Sequence, residues 1–195
     1  MEKQENESIK IFEDLIKLEV TNFINNEKYQ IVGGTDMVFS DDDILKITKI
    51  CNQENTYNLL FKERLNGKPY TEDDAKGFIK WLKDGWRNQS FFVFFIRDEN
   101  EKIIGAIDIK SADLNRAEIG YWADENYRGF MTNTVEEILS LAKERGFLKI
   151  FAGVRSDNSK SIGVLERSGL KRVGEEKEIK GYPHLEYEID LNKIN

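Results

Sequence analysis

The residues best placed to do chemistry lie between Ala117 and Ala142. Glu118, Gly120 and Trp122 alternate with Ile119, Tyr121 and Ala123, the two-residue period of a strand. Asp124 to Gly129 then makes a polar turn holding Arg128 and Gly129. Beyond it Val135, Ile138, Leu139 and Ala142 recur at i, i+3, i+4 and i+7, one face of a helix. Asn133, with Glu136 three residues on, suits a capping box at the helix start. A strand, a short turn with arginine and glycine, and a capped helix leave backbone N–H groups free at a positive dipole end. That is a place to hold a phosphate.

Other chemistry is sparse. Cys51 is the one cysteine, so no internal disulfide forms, and it reads as a small buried residue of an intracellular protein. A nucleophilic thiol would need a histidine partner, and nothing in the sequence brings His184, the one histidine, to it. Asp41-Asp42-Asp43 has the look of a metal or amine site, but an acidic run after Ser40 more commonly favours a helix N-terminus, and no metal is expected.

Composition sets the class. The chain has 195 residues, 39% hydrophobic and 33% charged, which suits one globular domain with a full core and an appended element. A net charge of −7 argues against nucleic-acid binding and is compatible with an amine-bearing substrate. There is no apolar run of membrane-spanning length and the start does not read as a signal peptide, so a cytoplasmic protein off the membrane is expected.

The positioning elements follow in order. Residues 1–7 are polar. From Ser8, a plausible N-cap, Phe12, Leu15, Ile16, Val20, Phe23 and Ile24 predict an amphipathic helix over 8–26, within a helical extension spanning 1–30. Its apolar face packs on its own domain or meets a second copy, which would make a homodimer. Residues 31–195 then read as a single domain. Ile31 to Phe39 reads as a strand broken at Gly33-Gly34, and Ser40 caps a helix carrying Ile44, Ile47 and Ile50. Asn55 to Pro69 is loop or short helix, and Thr71 with Asp74 caps a helix striped by Ala75, Phe78, Ile79 and Leu82. Ser90 to Arg97 is a buried central strand, returned by Ile103 to Lys110. After the focal helix come a strand at Lys149 to Val154, a helix begun by Asp157-Asn158, and two strands around Lys180 to Pro183.

The ordered set Ala117-Glu-Ile-Gly-Tyr-Trp122, Tyr127-Arg-Gly129, Ala142-Lys-Glu-Arg-Gly146, Asn158-Ser-Lys-Ser161 and Val164-Leu-Glu-Arg-Ser-Gly169 resembles the GNAT acetyltransferases, in particular their RimJ/RimL-type branch. The resemblance implies an α/β (α+β) fold with a mixed central sheet of about six to seven strands, splayed at its centre and flanked by helices. It implies acetyl-CoA as cofactor and an amine acceptor, either a small molecule or a protein N-terminus. By the same resemblance Tyr121, Trp122 and Ala123 border the pantetheine. Arg128, Gly129, Phe130, Met131 and Thr132, with Thr134 nearby, meet the pyrophosphate. Asn158 contacts the pantetheine arm, Ser161 protonates the thiolate, Glu118 acts as base, and Lys160 stands near a phosphate.

Each role has a plainer counterpart. A strand glutamate commonly pairs with a neighbour such as Lys110 or Arg116, and Asn158 and Ser161 suit a helix start in any protein. The turn also departs from the family, whose pattern continues past the first glycine to a second small residue. Here Phe130-Met131-Thr132 follows directly, leaving the turn about two residues short. Two readings stay open, a rebuilt cofactor loop in a working transferase, or a degenerate loop in a GNAT-fold binding or regulatory protein.

Overall fold

The computed structural model describes residues 10–13, 15–35 and 37–193. Among these residues eight strands form one sheet in the order β1-β2-β3-β4-β5-β6-β8-β7. They are β1 (Lys17–Thr21), β2 (Lys28–Gly33), β3 (Phe92–Arg97), β4 (Ile103–Ile109), β5 (Ala117–Ala123), β6 (Lys149–Arg155), β7 (Lys171–Ile179) and β8 (Tyr182–Asp190). The helices are α1 (Asp41–Cys51), α2 (Glu54–Thr56, continued as one π-helical turn to Phe61), α3 (Glu72–Arg87), α4 (Met131–Glu144) and α5 (Ser159–Arg167). The family-type mixed architecture is present, with one strand more than expected.

The extra strand corrects the N-terminal reading. Residues 17–21 are not helical; they pair antiparallel with β2 from Lys17↔Val32 to Thr21↔Lys28. Phe12, Ile16 and Val20 are buried, but Leu15, Phe23 and Ile24, which the helix would have turned inward, are exposed. A four-residue spacing over even positions satisfies a two-residue period equally well. The open edge of β2 decides between them by offering backbone partners. The proposed cap at Ser8 lies outside the described residues. β2 also begins before Ile31 and ends at Gly33, after which a last in-register bond runs from Gly34 N to Val93 O (2.9 Å). A Cβ on Gly34 would stand 2.7 Å from Leu82 Cδ1, so the bare backbone lets α3 lie close to the end of β2.

The other caps behave as their sequences predict. Ser40 and Asp43 cap α1 reciprocally, and Thr71 and Asp74 do the same for α3. Asp43 therefore acts as a cap and as an ion partner of Arg97 (3.3 Å). β3 carries the core, with Phe92, Phe94 and Phe95 wholly buried.

Among the described residues the sheet has one parallel junction. β5 meets β6 only at Ala117↔Ile150 and Glu118↔Phe151, and past Glu118 the two strands part. On the other side β5 stays paired with β4 through Ala123. Lys110 N donates to Glu118 O and Asp124 N to Ile104 O, so the even-numbered residues of β5 bond towards β4. By strand alternation, the peptide groups of Tyr121 and Ala123 face the gap.

Candidate active site

Two large cavities meet the splayed end of β5. The first, about 520 Å³, runs from the end of β5 along the 124–129 turn to the starts of α4 and α5. Tyr121, Trp122, Ala123, Arg128, Gly129, Phe130, Met131, Asn158 and Ser161 all line it, as do Lys160 and Arg167. The second, about 580 Å³, is walled by Phe61, Tyr70, Phe78, Trp81 and Trp122, with Asp108 and Lys110 from β4. Leu60, Tyr121 and Trp122 border both, so the two spaces meet at the splay.

The turn into α4 is held from below. Asp124, 1% exposed, accepts from Lys46 Nζ (2.5 Å), Gln53 Nε2 (2.7 Å), and Asn126 N and Nδ2 (3.0 and 2.8 Å). Burial works against its ionisation, but these donors outweigh burial and hold the carboxyl below its ordinary range. Glu125 accepts from the Asn55 amide and side chain (2.8 and 2.9 Å). The acids of the turn are thus committed to the protein.

The predicted cap is not formed. α4 starts at Met131, two residues before Asn133, and its N-cap Phe130 makes no side-chain hydrogen bond. Asn133 Nδ2 instead donates to Thr21 O (2.5 Å). As a result, among the described residues the amides of Gly129, Phe130, Met131 and Thr132 donate to no protein acceptor. These free donors, beside Arg128, Lys160 and Arg167, fit a diphosphate despite the shortened turn. Thr132 itself is buried, and its hydroxyl accepts from Arg167 Nε (3.3 Å).

Asn158 caps α5 by accepting from Ser161 N (3.2 Å). That bond turns the Ser161 side chain toward β5, where its Oγ lies 2.7 Å from Tyr121 Oη. Burial pushes the Tyr121 phenol up to about 12. Glu118 lies outside the lining of both cavities, and its carboxylate takes Lys110 Nζ at 2.5 Å. Its plainer reading as an ion-pair partner is the one the geometry displays.

Asp108 and Arg167 were not singled out from sequence. Asp108 is a single acid within the apolar run Ile103 to Ile109, and that isolation was the available signal. Its Oδ1 accepts from Gly120 N (2.8 Å). Burial drives its carboxyl up to about 6, partly opposed by the Lys110 ammonium. Cys51 borders the second cavity, and burial raises its thiol to about 12, which removes it as a nucleophile. His184 lines a third hollow between β5 and β6, which shares Tyr121 with both cavities and Ser161 with the first, and its Nδ1 lies 2.9 Å from Tyr182 O.

Among described residues no helix is long and apolar enough to cross a membrane. Residues 38–171 match the acetyltransferase (GNAT) domain. The chain belongs to that family, and so is an acetyltransferase. No curated protein sequence matches it. Solved structures share its fold. The microcin C7 self-immunity acetyltransferase MccE in complex with acetyl-CoA and AMP is 22% identical, with a TM-score of 0.68 over 85% of this chain and 93% of its own. The ribosomal-protein-S5-alanine acetyltransferase from Vibrio fischeri is 20% identical, with a TM-score of 0.70 over 91% and 98%. Mycobacterium smegmatis RimJ in complex with CoA-disulfide is 18% identical, with a TM-score of 0.69 over 92% and 88%.

Proposed function

We propose that the protein transfers the acetyl group of acetyl-CoA to a primary amine by direct attack. The observation that carries this reading is the meeting of two cavities at Tyr121 and Trp122, one bordered by free amides and cations, the other by a carboxyl with a raised pKa. Acetyl-CoA supplies an activated acetyl thioester. The amides of Gly129 to Thr132, with Arg128, hold its diphosphate, and the open edge of β5 at Tyr121 and Ala123 pairs with its pantetheine.

Asp108, rather than Glu118, takes the proton from the acceptor ammonium. A base with a pKa near 6 is largely ionised at neutral pH yet basic enough to accept a proton as the amine attacks. Ser161 Oγ, backed by Tyr121 Oη, gives a proton to the departing sulfur. No acyl-enzyme forms, since the one thiol is buried and un-ionised. The aromatic walls formed by Phe61, Phe78 and Trp81, with Asp73, Asp74 and Asp108, suit an amine carried on an apolar body, either a small molecule or the first residue of a protein.

The test is thermal unfolding with and without acetyl-CoA. Cofactor at 100 times its Kd should stabilise the fold by about 2.7 kcal/mol. An unmoved transition at millimolar acetyl-CoA would overturn the reading in favour of a binding protein with a degenerate loop.

A further inference from the structure

The diphosphate turn is shaped by a segment outside the residues that match the family domain. The turn between β1 and β2 lies directly against it. Asn22, 1% exposed, donates from Nδ2 to Arg128 O (2.7 Å), while its Oδ1 accepts from Ile24 N (2.9 Å). Phe23 N donates to Gly129 O (3.0 Å), and Thr21 O accepts from Asn133 Nδ2 (2.5 Å). Three consecutive residues thus grip the turn and the first turn of α4.

Peptide planarity gives these contacts a consequence. In a trans peptide the carbonyl of one residue and the N–H of the next point in opposite directions. Anchoring Arg128 O on Asn22 therefore turns the Gly129 N–H away from the N-terminal hairpin. Anchoring Gly129 O on Phe23 does the same for the Phe130 N–H. Both residues line the cleft opposite the hairpin. Gly129 has φ +87°, and a Cβ there would stand 2.3 Å from Asn22 Oδ1, so the glycine also makes room for the brace.

We propose that Asn22 is a positioning residue for the cofactor: its turn replaces the residues missing from the diphosphate loop by holding the Gly129 and Phe130 amides toward the diphosphate. This rests on the acetyl-CoA reading above, and the test separates the two. CoA affinity is measured by calorimetry, and turnover is measured with acetyl-CoA and with S-acetylpantetheine, which carries no diphosphate. Asn22→Asp keeps the shape and the Oδ1 acceptor, loses the donor to Arg128 and adds a buried carboxylate, a charge that Phe23→Pro does not introduce. It should weaken CoA about tenfold and lower kcat/KM for acetyl-CoA in proportion, leaving turnover of S-acetylpantetheine unchanged. Phe23→Pro, at an exposed side chain, removes the amide donor to Gly129 while also stiffening the backbone at Asn22 and Phe23, and should give the same split if the Asn22 variant fails to fold.

CoA affinity within twofold of wild type in the folded variants would overturn the brace alone. So would equal losses with both donors, which would show a general structural role. A wild-type protein that binds no CoA would overturn the cofactor reading, and the brace's purpose with it.

Discussion

The Tyr121 hydroxyl lies 2.7 Å from the Ser161 hydroxyl, joining the splayed edge of β5 to the first turn of α5. Tyr121 is also 3.2 Å from Ser161 O, so the pair has two arrangements. When the phenol donates to Ser161 Oγ, the serine hydrogen is free to turn into the cleft. Ser161→Ala should lower kcat about tenfold, and Tyr121→Phe with Ser161→Ala about a hundredfold, with CoA affinity little changed. Because the phenol is raised to about 12, the rate should show no loss from its ionisation below about pH 10. Single-turnover kinetics and calorimetry on the variants test this; a double variant with normal kcat would remove the pair from catalysis.

In the proposed mechanism Asp108 sets the acid side of the pH profile. Its carboxyl, raised from 3.8 to about 6, must be ionised to act, so kcat/KM should rise through about pH 6 and then level. Asp108→Asn should lose at least about a hundredfold in rate and abolish that limb. Stability moves the other way. A raised carboxyl binds its proton more tightly when folded, so it favours the fold at low pH, and this contribution is lost as pH rises through about 6. At pH 7 the Asn variant should be the more stable by roughly 1–3 kcal/mol, read from urea melts.

Glu118 is engaged with Lys110, both partly exposed (34% and 43% of their side chains). Glu118→Gln should cost no more than about 1 kcal/mol of stability. It should change turnover only a few-fold, through the freed Lys110 ammonium beside Asp108. A loss as large as that of Asp108→Asn would return the base to Glu118.

Asp124 ties α1 to the cofactor turn. Asp124→Ala leaves the Lys46 ammonium and the Gln53 and Asn126 amides without their acceptor, and should cost about 3 kcal/mol in denaturant unfolding. A carboxyl held below its ordinary range stabilises at neutral pH, and that contribution fades as pH falls through its folded value. The variant should therefore unfold with a flatter acid dependence than wild type.

Most of the architecture was open to reading because each signal was local. The reciprocal caps at Ser40 and Thr71, the phenylalanine-rich β3 and the Asn158 cap need only neighbours three or four residues away. The N-terminal segment is a strand where its spacing predicts a helix, because that apolar spacing fits both periods. The missed α4 start has a related cause, since Asn133, a good capping residue, was drawn off by Thr21 O, more than a hundred residues earlier.

By itself the sequence determined the order of elements from the cap at Ser40 onward, the family, and most of the residues that border the cleft at the end of β5, since these follow from residue type and short-range periodicity. Tertiary structure alone decided which groups are free to face that cleft. The splay of β5 from β6 exposes the peptide groups of Tyr121 and Ala123, and burial in a wall of aromatic rings lifts Asp108 where Glu118 stays paired with Lys110. The N-terminal hairpin turns the carbonyls of Arg128 and Gly129 away from the cleft. Desolvation and peptide orientation depend on what packs across space, and no spacing along the chain encodes them.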